Sequence, residues 1–176
     1  MSIFRKLFNP LANKDYTPTR GIDLCDMDMG VWSKGTYRIF DMAGQDEYLP
    51  SHAFSLGHPH SVYLLVVNLT NKDMEYHARH WLSAVSSCHN REKQRRPPVI
   101  FVASHADSVP CSCNGRKLST NRKASTLLQK LRAEFYDKFN FIGDPIVMDC
   151  RNTISPEVRE LKTVLTTVLK ETLAVS

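Results

Sequence analysis

Two short motifs in this chain place acidic and polar side chains where they could bind a nucleotide. The first reads DMAGQ from Asp41 to Gln45, and the second reads SHAD from Ser104 to Asp107. A carboxylate at Asp41, at the end of a predicted strand, could hold Mg²⁺ through a water molecule. Gly44 lacks a Cβ, so its backbone could approach a phosphate, and Gln45 could orient an attacking water. The first motif therefore predicts phosphate chemistry.

The second motif predicts recognition of a guanine base. It follows the apolar run from Val99 to Ala103, which predicts a buried strand. The carboxylate of Asp107 can accept hydrogen bonds from N1 and N2 of guanine, which adenine does not offer, and a mismatch would leave that carboxylate unpaired. The imidazole of His105 could stack on the base, or His105 could serve only as a turn residue.

With a third run, TPTRGID from Thr17 to Asp23, these motifs make the chain resemble the Roc domain. This is the Ras-like GTPase module of the Roco proteins, such as the leucine-rich-repeat kinases and death-associated protein kinase. The third run is similar to the T-x-G-[IV]-[DE] first switch of that family. DMAGQDEY is similar to its D-x-A-G-[QR]-E-x-[YF], and SHAD is close to its T-H-x-D.

The resemblance implies a role for each matching residue. Thr19 would coordinate Mg²⁺ when GTP is bound, and Gly44 would contact the γ-phosphate. The loop Asp149–Arg151 stands where the family gives a backbone N–H to the guanine oxygen, although its motif is weak. The predicted site therefore comprises catalytic Gln45, nucleotide-binding Thr19, Gly44, Ser104, His105, Asp107 and Cys150, and metal-binding Asp41 and Thr19.

The sequence departs from the family in one respect. It contains no GxxxxGK[ST] phosphate loop, and the apolar spacing of residues 1–8 is typical of the helix that normally follows that loop. We therefore expect a Roc domain that is truncated at its N-terminus and lacks the amide cradle, the phosphate-binding lysine and the first, central strand.

The predicted fold class is α/β, a Ras-like P-loop NTPase fold with a mostly parallel sheet and helices on both faces, formed as one domain by residues 1–176. The patterns predict strands near 22–31, 34–41, 61–69, 99–103 and 146–148, the first two joined as an antiparallel hairpin. They predict helices over 74–88, from a Ser119 cap, and from a Ser155 cap, with a loop from Ser108 to Thr120.

Composition indicates an ordinary soluble protein. The hydrophobic fraction is 42% and the charged fraction 23%. Five irregularly spaced cysteines and no signal-peptide pattern favour a reducing, cytoplasmic location, and no apolar run is long enough to span a membrane. The net charge of +5 lies largely in two basic clusters without interleaved aromatic residues, which indicates solvated loops and not a nucleic-acid surface.

The sequence therefore predicts a GTP-binding switch module of a larger signalling protein, inactive or weakly binding in this form. Mg²⁺ would accompany GTP or GDP if a phosphate loop were supplied, and GTP hydrolysis is expected of the parent protein. The resemblance implies a COR dimerisation domain after Ser176, with a homodimer as one arrangement. The alternative is a nucleotide-free interaction or dimerisation module that keeps the GTPase fold without its chemistry.

Overall fold

A computed structural model describes residues 22–28, 36–42, 55–89, 95–108, 116–150, 152 and 154–174. The predicted helix over residues 1–8 and the predicted site residues Thr19, Gly44 and Gln45 lie outside these ranges. The described elements, in chain order, are β1 (Ile22–Asp28), β2 (Thr36–Met42), β3 (Tyr63–Asn68), α1 (Met74–Cys88), β4 (Pro98–Ser104), α2 (Arg116–Glu134), β5 (Asn140–Val147) and α3 (Pro156–Ala174).

The described strands form two sheets. β1 and β2 pair as the antiparallel hairpin predicted from the sequence, with Ile22 opposite Met42. β3, β4 and β5 form a parallel sheet in that order. Within the described ranges no ladder joins the hairpin to the parallel sheet.

β4 is the central strand of the parallel sheet, and its apolar sequence explains its place. Residues Val99 to Ala103 are all buried, as a strand covered on both faces requires. Because side chains alternate along a strand, Val99 and Phe101 belong to one core, whereas Ile100 and Val102 belong to a second core on the opposite face. The predicted buried strand is therefore confirmed.

Helices cover both faces of this sheet. The first core includes Leu82 and Val85 from α1 and Leu128 and Leu131 from α2. The second core is completed by one face of α3, namely Val158, Leu161, Leu165 and Val168. Ser155 caps α3 as predicted, because its Oγ lies 3.3 Å from the Val158 backbone nitrogen. The α/β arrangement with helices on both faces is thus confirmed.

A surface network of charged residues joins α1 to α2. Arg79 bonds to Glu75 and to Glu134, each at 2.5 Å, and Lys130 bonds to Glu75 at 2.9 Å. The hydrogen bond from Lys130 lowers the pKa of the Glu75 carboxyl, and Arg79 adds to this effect. Since all four side chains are partly exposed to solvent, the network contributes little to the stability of the fold.

Two elements begin earlier than the sequence patterns predict. α2 begins at Arg116 and not at Ser119, so residues 116–120 of the predicted loop are helical. Arg, Lys and Leu, which open this helix, are strong helix formers, and a serine inside a helix costs little.

β5 begins at Asn140, although only 146–148 was predicted. Its ladder is irregular, since Ile100 pairs with Ile142 whereas Val102 pairs with Ile146. The extra residues form a bulge that includes Gly143, with φ +59°, and Pro145. Such a bulge accommodates both residues within a strand, which the sequence pattern did not reveal.

The segment before β3 is anchored to the end of α1. The Tyr63 hydroxyl accepts a hydrogen bond from the Gly57 N–H at 3.2 Å and lies 2.7 Å from His89 Nε2. Gly57 has φ +102°, and a Cβ there would lie 2.4 Å from the carbonyl oxygen of Cys88. Position 57 therefore requires glycine for both its conformation and its space.

No helix in the described ranges combines the length and the hydropathy needed to cross a membrane.

We predict that Gly57→Ala lowers the free energy of unfolding by about 3 kcal/mol, because the added methyl group meets a backbone carbonyl at a strained φ. Gly143→Ala is the matched control. Gly143 also has a positive φ, but a Cβ there meets nothing within 4 Å. Gly143→Ala should therefore lower the free energy of unfolding by only about 1 kcal/mol. Urea unfolding monitored by circular dichroism measures both values, and equal costs would contradict the proposed steric contact.

We predict that Tyr63→Phe lowers the free energy of unfolding by about 1 kcal/mol at neutral pH, because the Gly57 N–H and His89 lose the hydroxyl that they contact. Burial raises the pKa of the Tyr63 phenol above its ordinary value of 10.0. The stabilisation by the neutral phenol is thus complete below pH 10 and is lost as the pH rises through the folded-state pKa. Urea unfolding at neutral and alkaline pH measures the free energy of unfolding of the wild type and of Tyr63→Phe. The difference between the two values should become smaller above pH 10. A constant difference would contradict this assignment.

Candidate functional site

The carboxyl ends of the three parallel strands lie at one edge of the sheet. β3 ends at Asn68, β4 at Ser104 and β5 at Val147. Open α/β sheets bind ligands outside this edge, because loops that leave neighbouring strands can surround a ligand there. Four of the predicted site residues, Ser104, His105, Asp107 and Cys150, lie at or after these strand ends.

The turn after β4 is held by backbone hydrogen bonds. The Ser108 N–H donates to the His105 carbonyl at 3.1 Å, and the Ala106 N–H donates to the Met148 carbonyl at 3.4 Å. His105 has φ +61°, a left-handed conformation that is uncommon for a residue with a side chain. The turn that carries the SHAD motif is thus joined to the loop after β5, where the predicted residue Cys150 lies.

Ser104 connects β3, β4 and His105 through both its backbone and its side chain. It is only 4% exposed. Its carbonyl accepts a hydrogen bond from the Leu69 N–H at 3.2 Å. Its Oγ donates to the Val67 carbonyl at 3.1 Å and lies 3.0 Å from Nδ1 of His105. In this geometry Ser104 contacts protein groups on the interior side, while the His105 side chain is exposed.

Asp107 presents its carboxylate from the same turn. It is half-buried, and its Oδ2 accepts a hydrogen bond from the Ser108 hydroxyl at 2.7 Å. A carboxylate has about four acceptor positions, so it can take part in several hydrogen bonds at once. The base-reading role of Asp107 remains a prediction.

The loop after β5 provides Asp149 and Cys150, both half-buried. Cys150 packs against the second core, and the Asn152 N–H donates to the Asp149 carbonyl at 3.1 Å. The role predicted for Cys150 uses its backbone N–H, which leaves the thiol available for packing. Arg151 lies outside the described residues.

Lys123 is a residue at this edge that the sequence analysis missed. Its ammonium donates to the Leu69 carbonyl at 2.7 Å, immediately after β3. The contact joins α2 to the segment that follows β3. No sequence motif predicts this contact, because the partner of Lys123 is a backbone carbonyl 54 residues away along the chain.

Asp41 lies in β2, next to its last residue. It is half-buried, and in the hairpin register it stands opposite Asp23. The following residue, Met42, packs against the first core, which includes Val67 and Leu69. Across the described ranges no group of three or more acidic, histidine or cysteine side chains could hold a metal ion. Since Thr19 lies outside these ranges, the predicted Mg²⁺ pair remains a prediction.

No protein-family model matches the chain. Among curated proteins it is similar to a probable serine/threonine-protein kinase, roco5, of Dictyostelium discoideum. The two are 25% identical over 149 residues, which cover 82% of this chain and 5% of that protein. The chain thus spans only a small part of its curated relative.

Among solved structures the chain is similar to Methanosarcina barkeri Roco2, in a RocCORdC structure bound to GDP. The TM-score is 0.63 and the identity 16%, over 96% of this chain and 44% of that one. At this identity the likeness concerns the fold, and it agrees with the α/β arrangement described above. Together the two likenesses confirm the resemblance drawn from the sequence: the chain has a Roc-like fold and is similar in sequence to a Roco protein.

Proposed function

We propose that this domain binds the base of a guanine nucleotide at the carboxyl edge of its parallel sheet. The observation that carries the proposal is the turn after β4, in which an exposed His105 ring and the half-buried Asp107 carboxylate follow a fully buried strand. Side chains that are already ordered on such a support would lose less conformational freedom on binding. His105 would stack on the purine, and Asp107 would accept hydrogen bonds from N1 and N2.

The other half of the proposed site would act on the phosphates. Asp41 and Thr19 would hold Mg²⁺, Gly44 would contact the γ-phosphate, and Gln45 would orient water for hydrolysis. The backbone of Cys150 would contact the guanine oxygen. Support for these roles comes from the motifs and from the Roco2 structure, which is bound to GDP. Loss of the γ-phosphate would release the switch segments, as in other GTPase switches.

We propose weak nucleotide binding for the chain itself. Its 176 residues contain no GxxxxGK[ST] sequence, so the backbone amides and the lysine that usually hold the β- and γ-phosphates have no counterpart in a recognisable motif. Most of the charge-assisted contacts to the phosphates would then be missing, and the contacts of Asp107 and His105 to the base would remain. Guanine recognition without tight triphosphate binding is therefore the expected behaviour.

We propose that the chain works as a single domain within a larger cytoplasmic signalling protein. This context is supported by the curated relative, a probable serine/threonine-protein kinase, and by the structural neighbour, a RocCORdC structure. A COR domain would then be its neighbour in the chain, and a homodimer is one arrangement of such a protein. The competing proposal is a nucleotide-free interaction module, which the absence of a phosphate-loop motif favours.

We predict that the wild-type chain prefers GDP to ADP and that Asp107→Asn reduces this preference about tenfold or more, because an amide cannot accept both guanine donors. Saturation-transfer NMR titrations with each nucleotide measure the affinities. Asp144→Asn is the matched control, since Asp144 is exposed in the bulge of β5. If the wild type binds GDP and ADP equally, the guanine site is absent and the interaction module is favoured.

We predict that a fluorescent GTP analogue binds the chain in Mg²⁺ with a dissociation constant well above about 1 μM, because most phosphate contacts are missing. Fluorescence anisotropy titration measures this value. Sub-micromolar binding would show that other residues hold the phosphates, and it would contradict the proposed weak binding.

A further inference from the structure

The hydrogen bonds of Ser104 determine which nitrogen of His105 carries a proton. The Ser104 hydroxyl lies 3.1 Å from the Val67 carbonyl oxygen and 3.0 Å from Nδ1 of His105. A hydroxyl has one proton to donate, and a carbonyl oxygen can only accept. If the Ser104 proton is directed to Val67, Oγ acts as the acceptor toward His105.

It follows that Nδ1 of His105 is the donor in this pair. A neutral imidazole carries one N–H, and the tautomer is set by the hydrogen bond that one ring nitrogen makes. With the proton on Nδ1, the lone pair is on Nε2. The three groups form a relay that runs from the His105 ring through Ser104 to the backbone of β3.

The relay fixes an exposed ring on a rigid support. Ser104 is buried between two strands, whereas the His105 side chain is exposed. The backbone of His105 is held separately, by the Ser108 N–H bond to its carbonyl. An exposed side chain normally samples several rotamers, and ordering it on binding costs free energy. The contact with Ser104 would order the ring before any ligand arrives.

We infer that Ser104 is a positioning residue for His105, which it holds in the Nδ1–H tautomer so that the ring is preorganised to stack on a purine base. This inference rests on the proposed guanine site for its ligand. The relay itself is a property of the unliganded chain. Ser104 thus acts through His105, and it need not touch the nucleotide.

The relay is tested in the unliganded protein by long-range ¹H–¹⁵N NMR of the imidazoles at about pH 8.5, where an ordinary imidazole is neutral. The signals of His105 are assigned by their absence from the His105→Phe spectrum. We expect Nδ1 to be the protonated nitrogen in the wild type and in Ser104→Thr, which keeps the hydroxyl. In Ser104→Ala the proton should redistribute toward Nε2. A protonated Nε2 in the wild type, or an unchanged spectrum in Ser104→Ala, would overturn the inference.

The effect on binding is measured by GDP titration of the same variants. Ser104→Ala should weaken GDP binding about three- to tenfold, because a ring that was ordered must now be ordered on binding. Ser104→Thr should restore affinity to within about twofold of the wild type. Equal weakening by both substitutions would indicate a purely structural serine and would overturn the positioning role. If Nδ1 is protonated but the wild type shows no preference for GDP over ADP, the proposed function fails while the relay stands.

Discussion

The burial of β4 from Val99 to Ser104 is the constraint on which the rest of this structure depends. Its five apolar residues from Val99 to Ala103 leave no face or edge of the strand in contact with water. Strands pair on both sides of β4, α1 and α2 cover one face, and α3 covers the other. A strand in this position can move only if both cores open, so the residues that follow it are held more firmly than an ordinary loop.

The candidate site begins at the end of this rigid strand. Ser104 is the last residue of β4 and remains buried, whereas His105, the next residue, is exposed. The change from interior to surface occurs across one peptide bond, with a left-handed backbone at His105 and hydrogen bonds to β3 and to the loop after β5. A polar site placed at such a boundary combines ordered side chains with access to a ligand.

Each of the two cores positions different elements at this edge of the sheet. The first core positions β3 and α2, whose Lys123 bonds to the carbonyl of Leu69 beside the site. The second core positions α3 and the loop after β5, in which Cys150 packs inward. Loops from both sides of the sheet thus meet beside the turn after β4, as expected for ligand sites in α/β folds.

Several elements could be predicted from the sequence because their signals are local. The apolar run of β4, the periodic helix α1 and the Ser155 cap of α3 each depend on residues close together in the chain, and the structure confirms all three. The first part of β5 was missed because Gly143 and Pro145 are typical of loops. They are tolerated there only because a bulge against β4 accommodates them.

The SHAD and DMAGQ motifs by themselves predict guanine recognition and phosphate chemistry, and they carry the resemblance to the Roc domain. Neither motif could show that Ser104 points inward to Val67, that His105 adopts a positive φ, or that Lys123 reaches Leu69. These contacts join backbone carbonyls to side chains on distant segments. A carbonyl has the same chemistry at every position, so sequence alone cannot say which carbonyl a side chain will meet. Only the packing of β4 between its neighbours decided that arrangement.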